Sequence, residues 1–143
     1  MSEKNASIDV YLTFNGDCRE AIKFYAAVFK LDVPHSMSYG ESPTGASPAE
    51  KDRILYACMP VFGMNMMFCD CPADSDFVRG NNVMLTISLR DEAELARLFQ
   101  EFSQGGDVYM PLEKTFFSDL FGMVCDRFGI IWQFSKMAGS SSS

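Results

Sequence analysis

Five cysteines and one histidine are the side chains of this 143-residue sequence best suited to bind a transition metal or, for the cysteines, to act as activated nucleophiles. The densest ligand-like group is Cys69-Asp70-Cys71, and Cys58 lies nearby if the two segments pair as strands. A structural zinc site needs four nitrogen or sulfur ligands, and three candidates converge here. A reactive cysteine needs a histidine or a cation to lower its pKa, and His35 is distant in sequence from every cysteine. The sequence therefore predicts no metal site and no cofactor, and it assigns no catalytic residue.

Charge and composition argue against several classes of partner. Acidic residues outnumber basic ones, 19 to 12, and the net charge of −7 argues against nucleic acid or an anionic membrane as partner. No apolar stretch is long enough to span a bilayer, and the polar start Met1–Ser7 lacks the apolar segment of a secretory signal. The odd number of cysteines fits reduced thiols. We therefore expect a cytoplasmic protein.

Hydrophobic periodicity predicts the elements that would position these residues. The first half is typical of a strand, an amphipathic helix, a weak strand and a hairpin: Ile8–Phe14, Cys18–Lys30, Val33–Glu41, and Ile54–Val61 with Met64–Asp70. Asp17 and Glu20 have the spacing of a capping box at the start of the helix. Ser42–Asp52, rich in Pro, Gly and Ser, is predicted to be a loop that forms a mobile flap over a ligand cavity.

The hairpin has two chemically different faces if Phe62-Gly63 forms its turn, because Cys58 then lies opposite Met67. One face carries a phenol, an amide and two thiols: Tyr56, Cys58, Pro60, Asn65, Met67 and Cys69. The other face is wholly apolar: Leu55, Ala57, Met59, Met66 and Phe68. We predict that the apolar face packs on a helix and that the mixed face forms the wall of a pocket.

The second half repeats this order of elements. It predicts a strand, a capped helix, a short strand and a final hairpin: Val83–Leu89, a helix from Asp91 to Gly105-Gly106, Val108–Met110, and Gly122–Cys125 with Ile130–Ser135. A shift of 74 residues carries Asp17 to Asp91 and Tyr25 to Phe99. The sequence therefore predicts two βαβββ modules, at about 8–70 and 83–135, in a single domain of residues 1–137 that is followed by a flexible tail, 138–143.

Three segments resemble a known superfamily. Tyr11–Phe29 (YLTFNGDCREAIKFYAAVF), the hairpin Ile54–Asp70 and the closing hairpin Phe121–Trp132 (FGMVCDRFGIIW) are similar to the corresponding elements of the vicinal oxygen chelate superfamily. The resemblance is closest to its PhnB-like branch, which is related to glyoxalase I and to bleomycin-resistance proteins. It implies an α+β fold in which two βαβββ modules curl a mixed sheet into a cup.

The same resemblance supplies the positions at which metal-dependent members of the superfamily place one ligand on each of four strands. Carried over to this chain, they fall on Val10, Tyr56, Met84 and Gln133. Valine cannot bind a metal, the thioether of Met84 suits soft metals, and Tyr56 is a weak ligand at neutral pH. Glyoxalase-type metal catalysis is therefore not expected. Some members of the branch carry the name demethylubiquinone methyltransferase, but no Gly-rich loop follows a predicted strand here as a methyl-donor site would require.

The expected pocket combines apolar walls with a few polar anchors, as small-molecule sites do. Its predicted lining is Val10, Tyr56, Cys58, Asn65, Met67, Cys69, Met84, Thr86, Ser88 and Gln133. We predict binding of a small apolar or amphipathic molecule without a catalytic metal, by a homodimer that covers its open sheet edges. Two alternatives stay open: a metal-independent or weakly metal-dependent lyase or isomerase, and a structural or regulatory homodimer with a residual cup.

Overall fold

The computed structural model describes residues 5–138. They divide into two compact units, of which the first ends at Phe77 and the second begins at Val78. This boundary lies in the loop between the two predicted modules. The predicted tail lies outside the described residues, except for Ala138. Within the described part of the chain, no helix is long and apolar enough to cross a membrane.

The first unit is a four-stranded mixed sheet with one long helix. Its elements are β1 (Val10–Phe14), α1 (Cys18–Phe29), β2 (Ser36–Ser38), a 3₁₀ turn (Tyr39–Glu41), β3 (Ile54–Val61) and β4 (Met64–Asp70). The strand order is β1-β4-β3-β2, with β1 parallel to β4 and the other neighbours antiparallel. The weak strand predicted over Val33–Glu41 is therefore shorter than expected, because its second half forms the 3₁₀ turn.

An aromatic core joins α1 to its sheet. Phe68 of β4 stacks on Phe14 of β1 with ring centroids 6.4 Å apart, and on Tyr25 of α1 at 6.0 Å. All three side chains are at most 1% exposed. Four of the five residues predicted for the apolar face of the hairpin are also buried: Ala57, Met59, Met66 and Phe68. The prediction that this face packs on a helix is confirmed.

The start of α1 is capped from a distant part of the chain. Asp70, at the end of β4, is 1% exposed, and its Oδ1 accepts hydrogen bonds from the N–H groups of Gly16 (2.7 Å) and Cys18 (3.1 Å). Its Oδ2 accepts the N–H of Ile54 at 2.9 Å. These three donors satisfy the buried carboxylate, and the positive end of the helix dipole favours it. Among the described residues, the side chain of Asp17 caps no N–H group of the helix, so the predicted capping box is wrong.

The β3–β4 hairpin forms as predicted, with Cys58 opposite Met67. Its two-residue turn has a φ of 50° at Phe62 and of 82° at Gly63. Positive φ at both central residues is the pattern of a type I′ turn, whose twist matches that of the flanking strands. Glycine adopts this conformation freely, whereas Phe62 is held in it with its ring 5.8 Å from that of Phe29. The turn thereby fixes the register of the hairpin.

The second unit repeats the order of the first. It contains β5 (Leu85–Leu89), α2 (Glu92–Ser103), β6 (Asp107–Glu113), β7 (Phe121–Cys125) and β8 (Ile131–Lys136). The strand order β5-β8-β7-β6 has the same connectivity as β1-β4-β3-β2, and both sheets are open. Its core packs Phe102 of α2 on Trp132 and Phe134 of β8, with ring centroids 4.5 and 5.6 Å apart. The predicted α+β fold with two βαβββ modules is therefore confirmed.

A second buried carboxylate organises the β7–β8 turn. Asp126 is 3% exposed, and its Oδ1 accepts the N–H groups of Phe128 (2.9 Å) and Ile130 (3.0 Å). Its Oδ2 accepts the indole N–H of Trp132 at 2.9 Å. Gly129 closes the turn at a φ of 91°, as the sequence predicts. The carboxylate thus ties the turn to the core of its own unit.

The strands β1 and β5 start later than predicted, and β6 runs longer. β1 begins at Val10 and leaves Ile8 95% exposed, while β5 begins at Leu85 and leaves Val83 73% exposed. Sheet pairing starts at these first residues, so the apolar residues before them precede the paired segments. β6 continues through Pro111 because an edge strand tolerates a residue without an N–H donor.

Candidate functional site

Each sheet has one side that its own helix covers and one side that this helix leaves uncovered. In the first unit, the uncovered side is named the first open face and carries Tyr11, Thr13, Met37, Tyr56, Cys58, Asn65, Met67 and Cys69. In the second unit, it is named the second open face and carries Thr86, Ser88, Phe121, Met123, Cys125, Ile131, Gln133 and Ser135. Both sets follow from the alternation of side chains along a strand.

The first open face brings together half of the residues predicted for the pocket: Tyr56, Cys58, Asn65, Met67 and Cys69. Val10 is not among them, which corrects the prediction. It pairs with buried Met66 in the parallel β1–β4 ladder, so it lies on the helix side with Leu12. A shift of one residue moves a strand side chain to the opposite face, and no local pattern set the register of β1 against β4.

Three residues of the first open face were missed in the sequence. Tyr11 and Thr13 alternate with the buried Leu12 and Phe14, and this alternation was the available signal. Met37 lies opposite Tyr56 on the edge strand β2. β2 has three residues, too few for a periodic pattern, so the sequence held no signal for Met37.

Two tyrosines and two cysteines interact on the first open face. The neighbouring thiol of Cys58 raises the pKa of the Tyr56 hydroxyl. Partial burial, followed by the neighbouring Cys69 thiol, raises the pKa of the Tyr11 hydroxyl. The two phenol rings meet edge to face with centroids 6.3 Å apart, and Cys69 Sγ lies 3.7 Å from Thr13 Oγ1. The face therefore presents aromatic rings, hydroxyls and thiols side by side.

The second open face combines hydroxyl and amide groups with the apolar side chains of Phe121, Met123 and Ile131. It brings together three of the predicted pocket residues: Thr86, Ser88 and Gln133. Thr86 Oγ1 donates to Gln133 Oε1 at 2.9 Å, which orients the amide. Met84 lies just before β5 and is 42% exposed. Strand pairing therefore does not place this predicted pocket residue on either face of the sheet. The neighbouring thiol of Cys125 raises the pKa of the Tyr109 hydroxyl on β6.

The ligand-like group Cys69-Asp70-Cys71 does not converge on one point. Cys69 lies on the first open face, whereas Asp70 is buried on the helix side. Arg53 donates to the backbone carbonyl of Cys71 at 2.8 Å and to its thiol at 3.9 Å. Within residues 5–138, no three histidine, cysteine, aspartate or glutamate side chains are grouped so that they could hold a metal ion. The single histidine, His35, is exposed.

The loop Ser42–Asp52 packs beside a second loop at the end of β4. The N–H of Gly40 donates to Lys51 O at 2.9 Å, and Glu50 Oε2 accepts the N–H of Ala73 at 3.1 Å. A groove of about 530 Å³ is lined by both loops: Ser47, Ala49, Glu50, Pro72, Ala73 and Asp74. These residues are distinct from the first open face. The flap over a ligand cavity stays a prediction.

Known proteins resemble this chain over nearly its whole length. A family model described as 3-demethylubiquinone-9 3-methyltransferase matches residues 6–135. The solved structure of protein PA1353 from Pseudomonas aeruginosa is 34% identical, with 92% of this chain and 98% of that chain covered and a TM-score of 0.82. The PhnB protein from Bacillus cereus is 26% identical, with 92% and 100% covered and a TM-score of 0.78. Protein YjdN from Escherichia coli (strain K12) is 26% identical over 133 residues, which are 85% of this chain and 89% of that protein.

A more distant likeness extends to the fosfomycin resistance protein FosX from Listeria monocytogenes. It is 11% identical, with 93% of this chain and 91% of that chain covered and a TM-score of 0.58. At this identity the likeness concerns the fold alone. It agrees with the two open four-stranded sheets described above.

Proposed function

Because the chain belongs to the PhnB-like family described as 3-demethylubiquinone-9 3-methyltransferase, within the vicinal oxygen chelate superfamily, we propose that its open sheet faces serve to bind a ligand. The proposed ligand is a small apolar or amphipathic molecule, bound without a catalytic metal. The observation that carries this proposal is the exposure of large side chains on the first open face. Tyr11 is 49% exposed, Tyr56 42% and Met37 41%.

The contrast between the two sides of the first sheet supports a binding role. On the helix side, Phe14 and Phe68 are at most 1% exposed, so the large rings of this side are buried in the core. On the other side, aromatic rings and thioethers of comparable size face outward. Apolar side chains gathered on one exposed surface mark interaction sites more often than they mark ordinary surface. A ligand that covers them would remove this apolar area from water.

The chemistry of the face favours a neutral, flat ring with a polar substituent. Tyr11 and Tyr56 offer ring surfaces for stacking, and Asn65 offers an amide for a hydrogen bond. The residues that define the first open face include neither lysine nor arginine, so a strongly anionic ligand would find no partner charge there. On the second open face, the Gln133 amide that Thr86 orients is the corresponding polar anchor.

Titration with Nile red, a neutral flat-ring dye, tests this proposal. Substitution of Tyr56 by Ala should weaken dye binding by about three- to tenfold, because one stacking partner is lost. Phe116→Ala is the matched control, since Phe116 is 100% exposed and lies outside the first open face. Equal weakening by both substitutions, or no binding to the unchanged protein, would overturn the proposal. Native mass spectrometry of the purified protein then identifies any molecule already bound.

An enzymatic role would show as turnover. The hemithioacetal of methylglyoxal and glutathione, offered with and without added divalent metal, is the discriminating substrate. We expect no turnover in either case, because three of the positions carried over from metal-dependent relatives hold Val10, Tyr56 and Met84. Turnover that depends on metal would instead support the enzymatic alternative.

We propose that the protein is a homodimer, and the edge strand β6 supports this. Val108 and Tyr109 are 49% and 52% exposed there, and Met110 is 36% exposed. An unpaired edge with exposed apolar side chains favours association, most simply by two-fold symmetry. Sedimentation equilibrium at micromolar concentration should give twice the mass of the chain, and Val108→Lys should shift it towards one chain. A single-chain mass for the unchanged protein would refute the dimer.

A further inference from the structure

We propose that Asn15 is a conditional modification site, whose side-chain amide is converted to aspartate or isoaspartate only when the start of α1 opens. Asn15 lies in the loop between β1 and α1 and forms, with Gly16, the one Asn-Gly pair of the sequence. Both residues are exposed, so water reaches them. This site goes beyond ligand binding by the open sheet faces and does not depend on it.

The reaction needs only the chain itself and water. The backbone nitrogen of Gly16, once its proton has gone to solvent, attacks Cγ of Asn15. A nitrogen–carbon bond forms, the bond from Cγ to the side-chain nitrogen breaks, and ammonia leaves after taking up a proton. Water then opens the resulting succinimide ring at either carbonyl, which gives aspartate or isoaspartate. Glycine favours ring closure because it has no side chain to crowd the attacking nitrogen.

Asp70 restrains the attacking nitrogen in the folded protein. Its Oδ1 accepts the N–H of Gly16 at 2.7 Å, and its side chain is 1% exposed. Loss of the proton from Gly16 would place a negative nitrogen beside a negative carboxylate, and like charges repel strongly next to a buried group. The nucleophile of the first step is therefore disfavoured as long as this hydrogen bond is kept.

Arg53 restrains the amide that would be attacked. Its Nη1 donates to Oδ1 of Asn15 at 3.1 Å and to the backbone carbonyl of Cys71 at 2.8 Å, which ties the amide to the chain just after β4. The thiol of Cys71 donates to the same Oδ1 at 3.5 Å. The guanidinium also lies over Gly16, where a β-carbon would be 3.4 Å from Arg53 Nη2. An amide held by these contacts samples the geometry of attack less often than a free one.

Both restraints depend on the same tertiary contact as the cap of α1. Oδ1 of Asp70, which accepts the N–H of Gly16, also accepts that of Cys18 at 3.1 Å. Opening of the helix start therefore releases the attacking nitrogen, and the rate of conversion reports how often this opening occurs. Isoaspartate lengthens the backbone before Gly16 by a methylene group, which displaces its N–H from Asp70. The modification thus makes a transient opening permanent.

Peptide mass spectrometry after incubation of the native protein at mildly alkaline pH measures the conversion of Asn15. Arg53→Met should accelerate it by at least about tenfold, because a charged hydrogen bond to the amide is lost. Asp70→Asn, which keeps an acceptor oxygen but removes the charge, should accelerate it by about tenfold as well. In concentrated urea, the unchanged protein and both variants should convert at one common, faster rate.

Arg19→Met is the matched control, because the Arg19 guanidinium also donates to a nearby loop, to the backbone carbonyl of Asp52 at 3.3 Å rather than to Asn15. It should convert at the rate of the unchanged protein. Circular dichroism establishes that each variant is folded, and Arg53→Met decides the test if Asp70→Asn does not fold.

Three results would overturn the proposal. Slower conversion in Arg53→Met would mean that the guanidinium stabilises the oxyanion that develops on Asn15 instead of restraining the amide. An unchanged rate in folded Arg53→Met, or equal acceleration in Arg19→Met, would mean that the contact with Arg53 does not control the reaction. Conversion of the native protein as fast as in urea would mean that the fold gives no protection.

Discussion

The helices of the two units begin differently, although the same aspartate spacing precedes both. Asp91 accepts the N–H groups of Ala93 (3.0 Å) and Glu94 (3.2 Å) in the first turn of its own helix. Asp17 occupies the corresponding place before α1, yet Asp70 from the end of β4 accepts the N–H of Cys18 instead. An aspartate therefore precedes both helices, but it caps the helix in the second module only. In the first module, a residue from a distant strand accepts the N–H group instead.

The two open faces diverge in the same way. The first presents phenols, thiols and thioethers, whereas the second is centred on the hydrogen bond between Thr86 and Gln133. On the helix sides, both modules keep an aromatic core, with Phe68 and Phe134 fully buried in equivalent strands. Close packing constrains the helix sides, and the open faces are free of that constraint. The comparison indicates that this fold varies its chemistry on one side of each sheet.

The largest predicted difference is in the rate of cysteine alkylation by iodoacetamide. A cysteine on the helix side of the first unit should react far more slowly than one on the second open face. Cys18 is fully buried, and burial raises the pKa of its thiol far above the ordinary value. Its reactive thiolate is therefore scarce at pH 8, whereas Cys125 is half-buried. Peptide mass spectrometry of the native protein should show Cys125 reacting about 1000-fold faster. Similar rates would mean that the start of α1 opens readily.

Truncation of the aromatic cores should have the largest effect on stability, and a similar one in both units. Phe68→Ala and Phe134→Ala each remove a fully buried ring, so each should lower the free energy of unfolding by about 3–5 kcal/mol. Denaturant unfolding followed by circular dichroism measures both. The matched surface control is Phe116→Ala, which should change stability by less than about 0.5 kcal/mol. Very unequal losses would show that the two cores are not equivalent.

Removal of the buried carboxylate of the first unit should cause the next largest loss of stability. Asp70→Ala leaves the N–H groups of Gly16, Cys18 and Ile54 without their acceptor, which should cost about 3 kcal/mol. Hydrogen exchange should increase most in the first turn of α1. Asp126→Ala is the counterpart, and its exchange should instead increase in the β7–β8 turn. Increased exchange at α2 in Asp70→Ala would contradict this assignment.

The sequence predicted the connectivity, the hairpin and the repeat because these depend on local periodicity and turn chemistry. The pair Phe62-Gly63 fixed the hairpin register, and with it the shared face of Cys58 and Met67. What failed depended on distant partners. The face of Val10 is set by pairing with β4, and the cap of α1 is set by Asp70. Both contacts come from residues far away in the sequence, so the local pattern around Val10 and around the start of α1 could not predict them.

The smallest predicted effect is the loss of stability when the aspartate before each helix is replaced, and it should differ between α1 and α2. Asp91→Ala should lower the free energy of unfolding by about 1 kcal/mol, since two N–H groups of α2 lose their acceptor. Asp17→Ala should change it by less than about 0.5 kcal/mol, because Asp70 supplies the cap. Both values come from denaturant unfolding under identical conditions. A larger loss for Asp17→Ala would reverse the comparison.

The distant cap of α1 also has a consequence for the order of folding. Cys18 is made 52 residues before Asp70, so α1 leaves the ribosome without its cap, whereas α2 carries its own. The contact with Asp70 requires closure of a long loop, and such contacts form late when closure is costly. Loss of Asp70 should therefore mainly accelerate unfolding, while loss of Asp91 should also slow refolding. The N-terminal module, synthesised first, would complete its helix only after its last strand has docked.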